Sequence, residues 1–329
     1  MPDGVSLEEK FSAFGHDGWV SADEVIALRQ QVFPDGIVSR EELAAVFALG
    51  EKAPDGDKEW QVFFEEVCAD FFLNEETPKG YLTNEEFDLV RHFVERDGPK
   101  ASHLELGVLV KLLETAVATP NEMADFVADQ FRRHVLDGET PTISDRDVEL
   151  LRRFLYASGG HGTIGITREE AELLFDLHDA TIGAPNSDAF NELFVKAISA
   201  HLMQYIGYQP IKREEALRLH AWTSDHSINP GRFIKQMAGS IANDGLKGVF
   251  ASLKPINHWK EKNERDEIGA EIARMVEARE ADWLADRIGR NGQFDEAERA
   301  LLILMQSLEA DLPPKLAHLI ADDSIAESA

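Results

Sequence analysis

The chain repeats itself, and the repeat limits its architecture more than any other feature. Ser39-Arg40-Glu41-Glu42, Phe47, Trp60, Phe63-Phe64 and Leu82-Thr83-Asn84-Glu85-Glu86 return as Thr167-Arg168-Glu169-Glu170, Phe175, Phe190, Leu193-Phe194 and Ile211-Lys212-Arg213-Glu214-Glu215, at an offset of 128 to 130 residues. Hydrophobic and hydroxyl classes keep their order, as an internal duplication requires. Upstream, Val20-Ser21-Ala22-Asp23-Glu24-Val25 answers to Ile143-Ser144-Asp145-Arg146-Asp147-Val148. Downstream, Glu105, Val108-Leu109 and Leu112 answer to Glu298, Leu301-Leu302 and Met305 at an offset of 193. The spacing predicts a helical unit 1 over 14–136 and a unit 2 over 139–325, with an insertion at 224–290.

Each helix start is written in the same way. A hydroxyl is followed three residues later by an acid, at Ser21/Glu24, Ser39/Glu42, Thr83/Glu86, Ser102/Glu105, Ser144/Asp147 and Thr167/Glu170, with Asp295/Glu298 as a variant. In a capping box the hydroxyl accepts from a free amide of the first turn and the acid reaches back to the cap's own amide. The acid also suits the positive end of the helix dipole. Behind each cap the apolar residues keep helical spacing, as in Leu43, Val46 and Phe47 or Leu173, Leu174 and Leu177. Alternating Val/Ile/Thr runs are absent apart from short pieces such as 162–167. The predicted fold is all-α, with two units of about six to eight short helices.

The 329 residues fit two such units, and 43% hydrophobic composition suffices for packed cores. A formal charge of -28 repels phosphate backbones, and no basic stripe interleaves with aromatics, so nucleic-acid binding is excluded as an expectation. The N-terminal sequence has no secretory leader pattern, and no run of about twenty apolar residues occurs. A cytoplasmic protein without a transmembrane segment is expected. The one cysteine, Cys68, lies in an apolar stretch and reads as a small buried hydrophobe.

The text Asp-Gly-x-Val-Ser-x-x-Glu at Asp17 to Glu24 recurs with small changes at Asp35 to Glu42, Lys79 to Glu86 and Asn291 to Glu298. It resembles the second half of an EF-hand calcium loop. That resemblance implies a turn at the Gly, a pairing aliphatic residue two positions later and a calcium-binding terminal Glu. Its metal candidates are Asp17, Glu24, Asp35, Glu42, Asn291 and Glu298. The first and third ligand positions fall on Gln31 and Phe33, Ala13 and Gly15, Glu75 and Thr77, and Arg287 and Gly289 in the four loops, so the loops offer fewer oxygens than the six to eight a hard cation needs. The acid therefore has two readings, capping partner or calcium ligand. The acidic repeats also resemble the tellurite-resistance-B-like proteins, which are all-helical and repeated; that resemblance implies no catalytic residue.

Other chemistry is poorly supported. Gly159-Gly160-His161-Gly162 lacks the strand and the Lys-Ser/Thr of a phosphate-binding loop. Among eleven histidines none forms His-Glu-x-x-His. His178, flanked by Asp176 and Asp179, and His201 stand where the other copy has Gly50 and Phe71, and both read as hydrogen-bonded core histidines. No nucleophile has an evident base, so no catalytic residue is assigned.

The segment 224–290 differs from its surroundings, holding 11 basic and 11 acidic residues on an otherwise acidic chain. Its first half mixes Arg232, Lys235, Lys247 and Lys254 with Phe233, Met237, Phe250 and Trp259. Three readings stand: an ordinary subdomain, a protein-binding surface with those four apolar residues as contacts, or peripheral contact with an anionic membrane through 229–259. Its second half reads as one amphipathic helix with Trp283 and Leu284 in the seam, packed against unit 2 or another subunit. The functional expectation is a non-enzymatic scaffold for a protein partner, without cofactor, and the alternative is a calcium-binding or sensing protein.

Overall fold

The computed structural model describes residues 7–32, 38–75, 78–138, 140–157, 166–205, 279, 282–288, 290 and 295–307. These residues are mostly helical, as the capping pattern requires. Helices α1 (Leu7–Ser12), α2 (Ala22–Val32), α3 (Arg40–Lys52), α4 (Lys58–Asp70), α5 (Asn84–Val94), α6 (His103–Thr115), α7 (Glu122–Leu136), α8 (Asp145–Ala157), α9 (Arg168–Ala180) and α10 (Asp188–Tyr205) follow in order, and α11 is Glu296–Ser307. A π-helical turn, Phe71–Glu75, extends α4. Among the described residues the only sheet is a parallel pair, β1 (Trp19–Val20) with β2 (Asp55–Gly56). None of the described helices is long and apolar enough to cross a membrane.

The caps form as the sequence dictates. Both halves of the capping box are present at Ser39/Glu42, Thr83/Glu86 and Ser102/Glu105. The same reciprocal bonds join Thr167 with Glu170 at 2.7 and 3.2 Å, and Asp295 with Glu298 at 3.3 and 2.9 Å. Each satisfies two amides that the first turn would otherwise leave without partners.

The chain divides into two compact units, Met1–Gly162 with Ala180–Asn186, and Thr163–Asp179 with Ser187–Ala329. In the first, α6 is the central helix, packed against α4, α7 and α8. It is buried along nearly its whole length, from Leu104 to Val110 and at Leu112. Trp60, Phe63 and Phe64 of α4 fill one side, and the Trp60 indole donates to the Ala53 carbonyl at 3.1 Å. Gly107 is required: a Cβ there would stand 2.5 Å from Oε1 of Glu65. That carboxylate, only 5% exposed, is gripped by the Arg153 guanidinium at 2.8 and 3.1 Å, which ties α8 to α4. The repeat spacing pairs α8 with α2, yet α8 closes the first unit, because Leu151 and Phe154 bury in it and Phe154 meets Phe131 of α7 at 5.5 Å. Cys68 is buried as expected, and burial beside Glu105 and Glu65 pushes its thiol far above the ordinary range.

In the second unit α10 packs against α11. Phe190 is fully buried, like Trp60, and each is the third residue of its helix. The pair Phe47–Phe64 meets edge to face at 5.4 Å, and Phe175–Phe194 does so at 5.0 Å. The end of the segment 224–290 belongs to this core: Trp283, Leu284 and Ile288 are buried, and the Trp283 ring meets Phe175 edge to face at 5.7 Å. The end of the expected insertion 224–290 thus packs into unit 2, one of the two covers expected for its seam. Its last turn supplies apolar surface that the unit 2 helices bury.

Candidate functional site

The loop acids expected as calcium ligands are held by amides wherever they are described. Glu24 accepts from the Gly15 amide on one oxygen at 3.2 Å, and from the Ser21 amide and hydroxyl on the other, both at 2.9 Å. The Ser21 backbone bond is the main reason its carboxyl is held below the usual range. Glu42 accepts from the Ser39 amide at 2.9 Å, and Asp17 accepts from the Trp19 amide at 3.1 Å. Asp35 and Asn291 lie outside the described residues, as do the partner-contact candidates Phe233, Met237, Phe250 and Trp259. Glu298 alone joins a larger cluster.

A first cluster forms where α6, α7 and α8 meet. His103 opens α6, His134 stands in the last turn of α7 and Asp147 in the first turn of α8. Asp147 is the capping acid expected from sequence: its Oδ2 accepts from the Ser144 amide at 2.9 Å and the Ser144 hydroxyl at 2.7 Å. The other oxygen, Oδ1, faces Nε2 of His134 at 3.2 Å and Nδ1 of His103 at 3.5 Å. Burial opposes the charge on Asp147, but the bonds from His103, His134 and Ser144 outweigh it and hold the carboxyl far below its ordinary range.

The orientation of His134 is fixed from behind. Its Nδ1 lies 3.1 Å from the Ala101 carbonyl, an acceptor only, so Nδ1 carries the hydrogen. The amide of the same Ala101 donates to Oε1 of Gln130, one turn earlier on α7, at 2.9 Å. His134 Nε2 therefore points a lone pair at a carboxylate oxygen unless a second proton or a cation lies between them. The ligand atoms of His103, His134 and Asp147 all lie within 4.8 Å of one another. Two ligands on a tetrahedral ion with bonds of about 2.0–2.1 Å are roughly 3.3 Å apart, which the separations of 3.2 and 3.5 Å match. The side chains of His103 and His134 are 14% and 19% exposed, which leaves room for water as a further ligand.

A second cluster lies between α9 and α11. His178 stacks on Phe194 at 4.3 Å, with ring planes 13° apart. Its Nε2 meets Oδ2 of Asp295 at 2.7 Å. Burial works against the charged ring, but Asp179 and Asp295 outweigh it and push its pKa up to about 9. Asp295 moves the opposite way: burial raises it, and the bond from His178 prevails and lowers it. Arg287 pairs with Asp176 at 2.8 Å and with Glu172 at 3.4 Å. The sequence reads His178 only as a hydrogen-bonded core histidine; in the structure Asp179 and Glu298 stand close enough to form a set with it. His201 keeps the expected role, with Nδ1 2.8 Å from the Ile166 carbonyl.

Sequence reasoning passed over His103 and His134 altogether and saw only the capping half of Asp147. Their separations of 31 and 13 residues match no local ligand motif, since each residue sits on a different helix. The one local clue was that Asp147 is the only Asp among the hydroxyl-led capping acids. No family model, no curated protein and no solved structure matches the chain.

Proposed function

We propose that this chain binds a divalent first-row transition metal, of the zinc type, through His103 Nδ1, His134 Nε2 and Asp147 Oδ1. The observation that carries the reading is His134. One ring nitrogen is committed as donor to the Ala101 carbonyl, and the other faces Asp147, at a distance that suits shared coordination. A backbone carbonyl behind a ligating imidazole is the usual orienting partner in metal sites. Two imidazoles favour zinc, nickel or copper over calcium and magnesium, which take oxygen ligands. The reading moves the cation alternative from the Asp-Gly loops to the helix junction. The protein-scaffold expectation rests on residues 229–259, outside the described residues.

The test is titration of the metal-free full-length chain with zinc, by calorimetry and thermal unfolding. One equivalent should be lost in His134→Asn and in His103→Asn while helical content by circular dichroism is retained. Millimolar calcium should move the unfolding temperature little. Zinc uptake that is the same in both variants as in the wild type would sink the proposal.

A further inference from the structure

We infer that the α9/α11 cluster is a second transition-metal site, built from Nδ1 of His178, Oδ1 of Asp179 and the carboxylate of Glu298, with Asp295 as the orienting residue. His178 is only 4% exposed, yet its Nδ1 has no hydrogen-bond partner. Oδ1 of Asp179 is also buried without one. The two face each other across 3.9 Å, too far for a hydrogen bond. A metal bonded to both at about 2.0–2.2 Å fits within that gap. At that distance the two share an ion pair but no hydrogen bond, so the hydrogen-bonding capacity of each buried atom is unmet, which is unfavourable.

The surroundings supply the rest of a metal centre. Glu298 is fully buried, and one of its carboxylate oxygens lies within 4.8 Å of a ring nitrogen of His178 and a carboxylate oxygen of Asp179. Asp295 meets the opposite nitrogen, Nε2, which fixes a hydrogen there, so a metal would take the place of the Nδ1 proton on the side that faces Asp179. A carboxylate behind a ligating histidine raises its basicity and sets its ring orientation. Arg287 engages Asp176 and Glu172, and its guanidinium lies 3.8 Å from the other oxygen of Asp179, so Oδ1 stays available. The ring is held in plane by its stack on Phe194.

The two sites can be separated with zinc alone as probe on the full-length chain. Wild type should take up two equivalents, and His134→Asn should take up one. On the His134→Asn background, the isosteric Asp179→Asn should weaken the remaining equivalent at least tenfold, and Asp295→Asn about 10- to 100-fold as an orienting residue. Nitrogen-detected NMR should show zinc shifting Nδ1 of His178 and leaving Nε2 protonated. Loss of all zinc in His134→Asn, or an affinity indifferent to Asp179→Asn, would overturn this inference. Wild-type uptake of a single equivalent that survives His134→Asn but not Asp179→Asn would keep it and refute the α6/α7/α8 site.

Discussion

The core around α3, α4 and α6 and the core around α9, α10 and α11 use the same aromatic contact for different ends. Phe47 meets Phe64 edge to face in one, and Phe175 meets Phe194 in the other. Beside that contact the first core has Gly50, whose missing side chain leaves room for Phe64, and a Cβ there would approach its ring to 2.7 Å. The second has His178 stacked flat on Phe194. At the head of the covering helix the first has Ser102 and the second Asp295, a cap that also holds the imidazole. In the first core the ring next to this contact therefore meets no polar side chain at the Gly50 position. In the second the same contact borders a polar cluster, because His178 and Asp295 occupy those two places and bond to each other.

The largest test of the shared frame is truncation of the matched rings. Phe64→Ala and Phe194→Ala should each cost about 3–5 kcal/mol in denaturant unfolding. A loss below about 1 kcal/mol at either position would show that the two contacts are not equivalent.

The next test separates the cores by pH, in metal-free protein. His178 is raised to about 9 in the folded chain, against about 6.5 when unfolded. Its contribution, at most about 3 kcal/mol, is complete below pH 6.5 and is lost as pH rises through 9. Asp147 is lowered, so its contribution is present above about pH 4 and is lost as pH falls further. The α9/α11 region should therefore loosen on the alkaline side and the α6/α7/α8 junction on the acid side. Hydrogen exchange of the two regions as a function of pH checks this, and His178→Asn should abolish the alkaline arm.

A smaller effect is expected at Gly50. Gly50→Ala should destabilise by about 1–3 kcal/mol through overpacking against Phe64, read as a lower unfolding midpoint. The smallest lies in the caps, where Ser39→Ala and Thr167→Ala should each lower stability by about 1 kcal/mol and by similar amounts. Unequal losses would mean that one of these helices starts by packing rather than by its cap.

Helix starts were legible because each is encoded within four residues: Ser39 and Glu42, or Thr167 and Glu170, find one another whatever the rest of the chain does. The aromatic frame was legible for a related reason, since the repeat displayed it twice. The clusters were hidden because their members meet only after helices pack. Asp295 and Glu298 read as a cap, and nothing near them in sequence announces a histidine more than a hundred residues earlier. His134 looks like any polar residue in a last helical turn until the Ala101 carbonyl fixes its ring. The burial of Trp283 was half legible, because an amphipathic seam specifies that a face is covered but leaves open whether unit 2 or another subunit covers it.

Trp283 and Arg287 also set a schedule for the nascent chain. Glu172 and Asp176 wait 111 residues for the side chains they bind. At a synthesis rate of about 5–20 residues per second, that is roughly 5–20 seconds during which Phe175 has left the ribosome without the Trp283 ring that meets it. Phe64 has no such delay, since α6 is made within a few seconds of α4. The second unit thus completes these contacts late in translation, and slowing the ribosome between codons 206 and 278 would lengthen that interval without altering any residue of the finished protein.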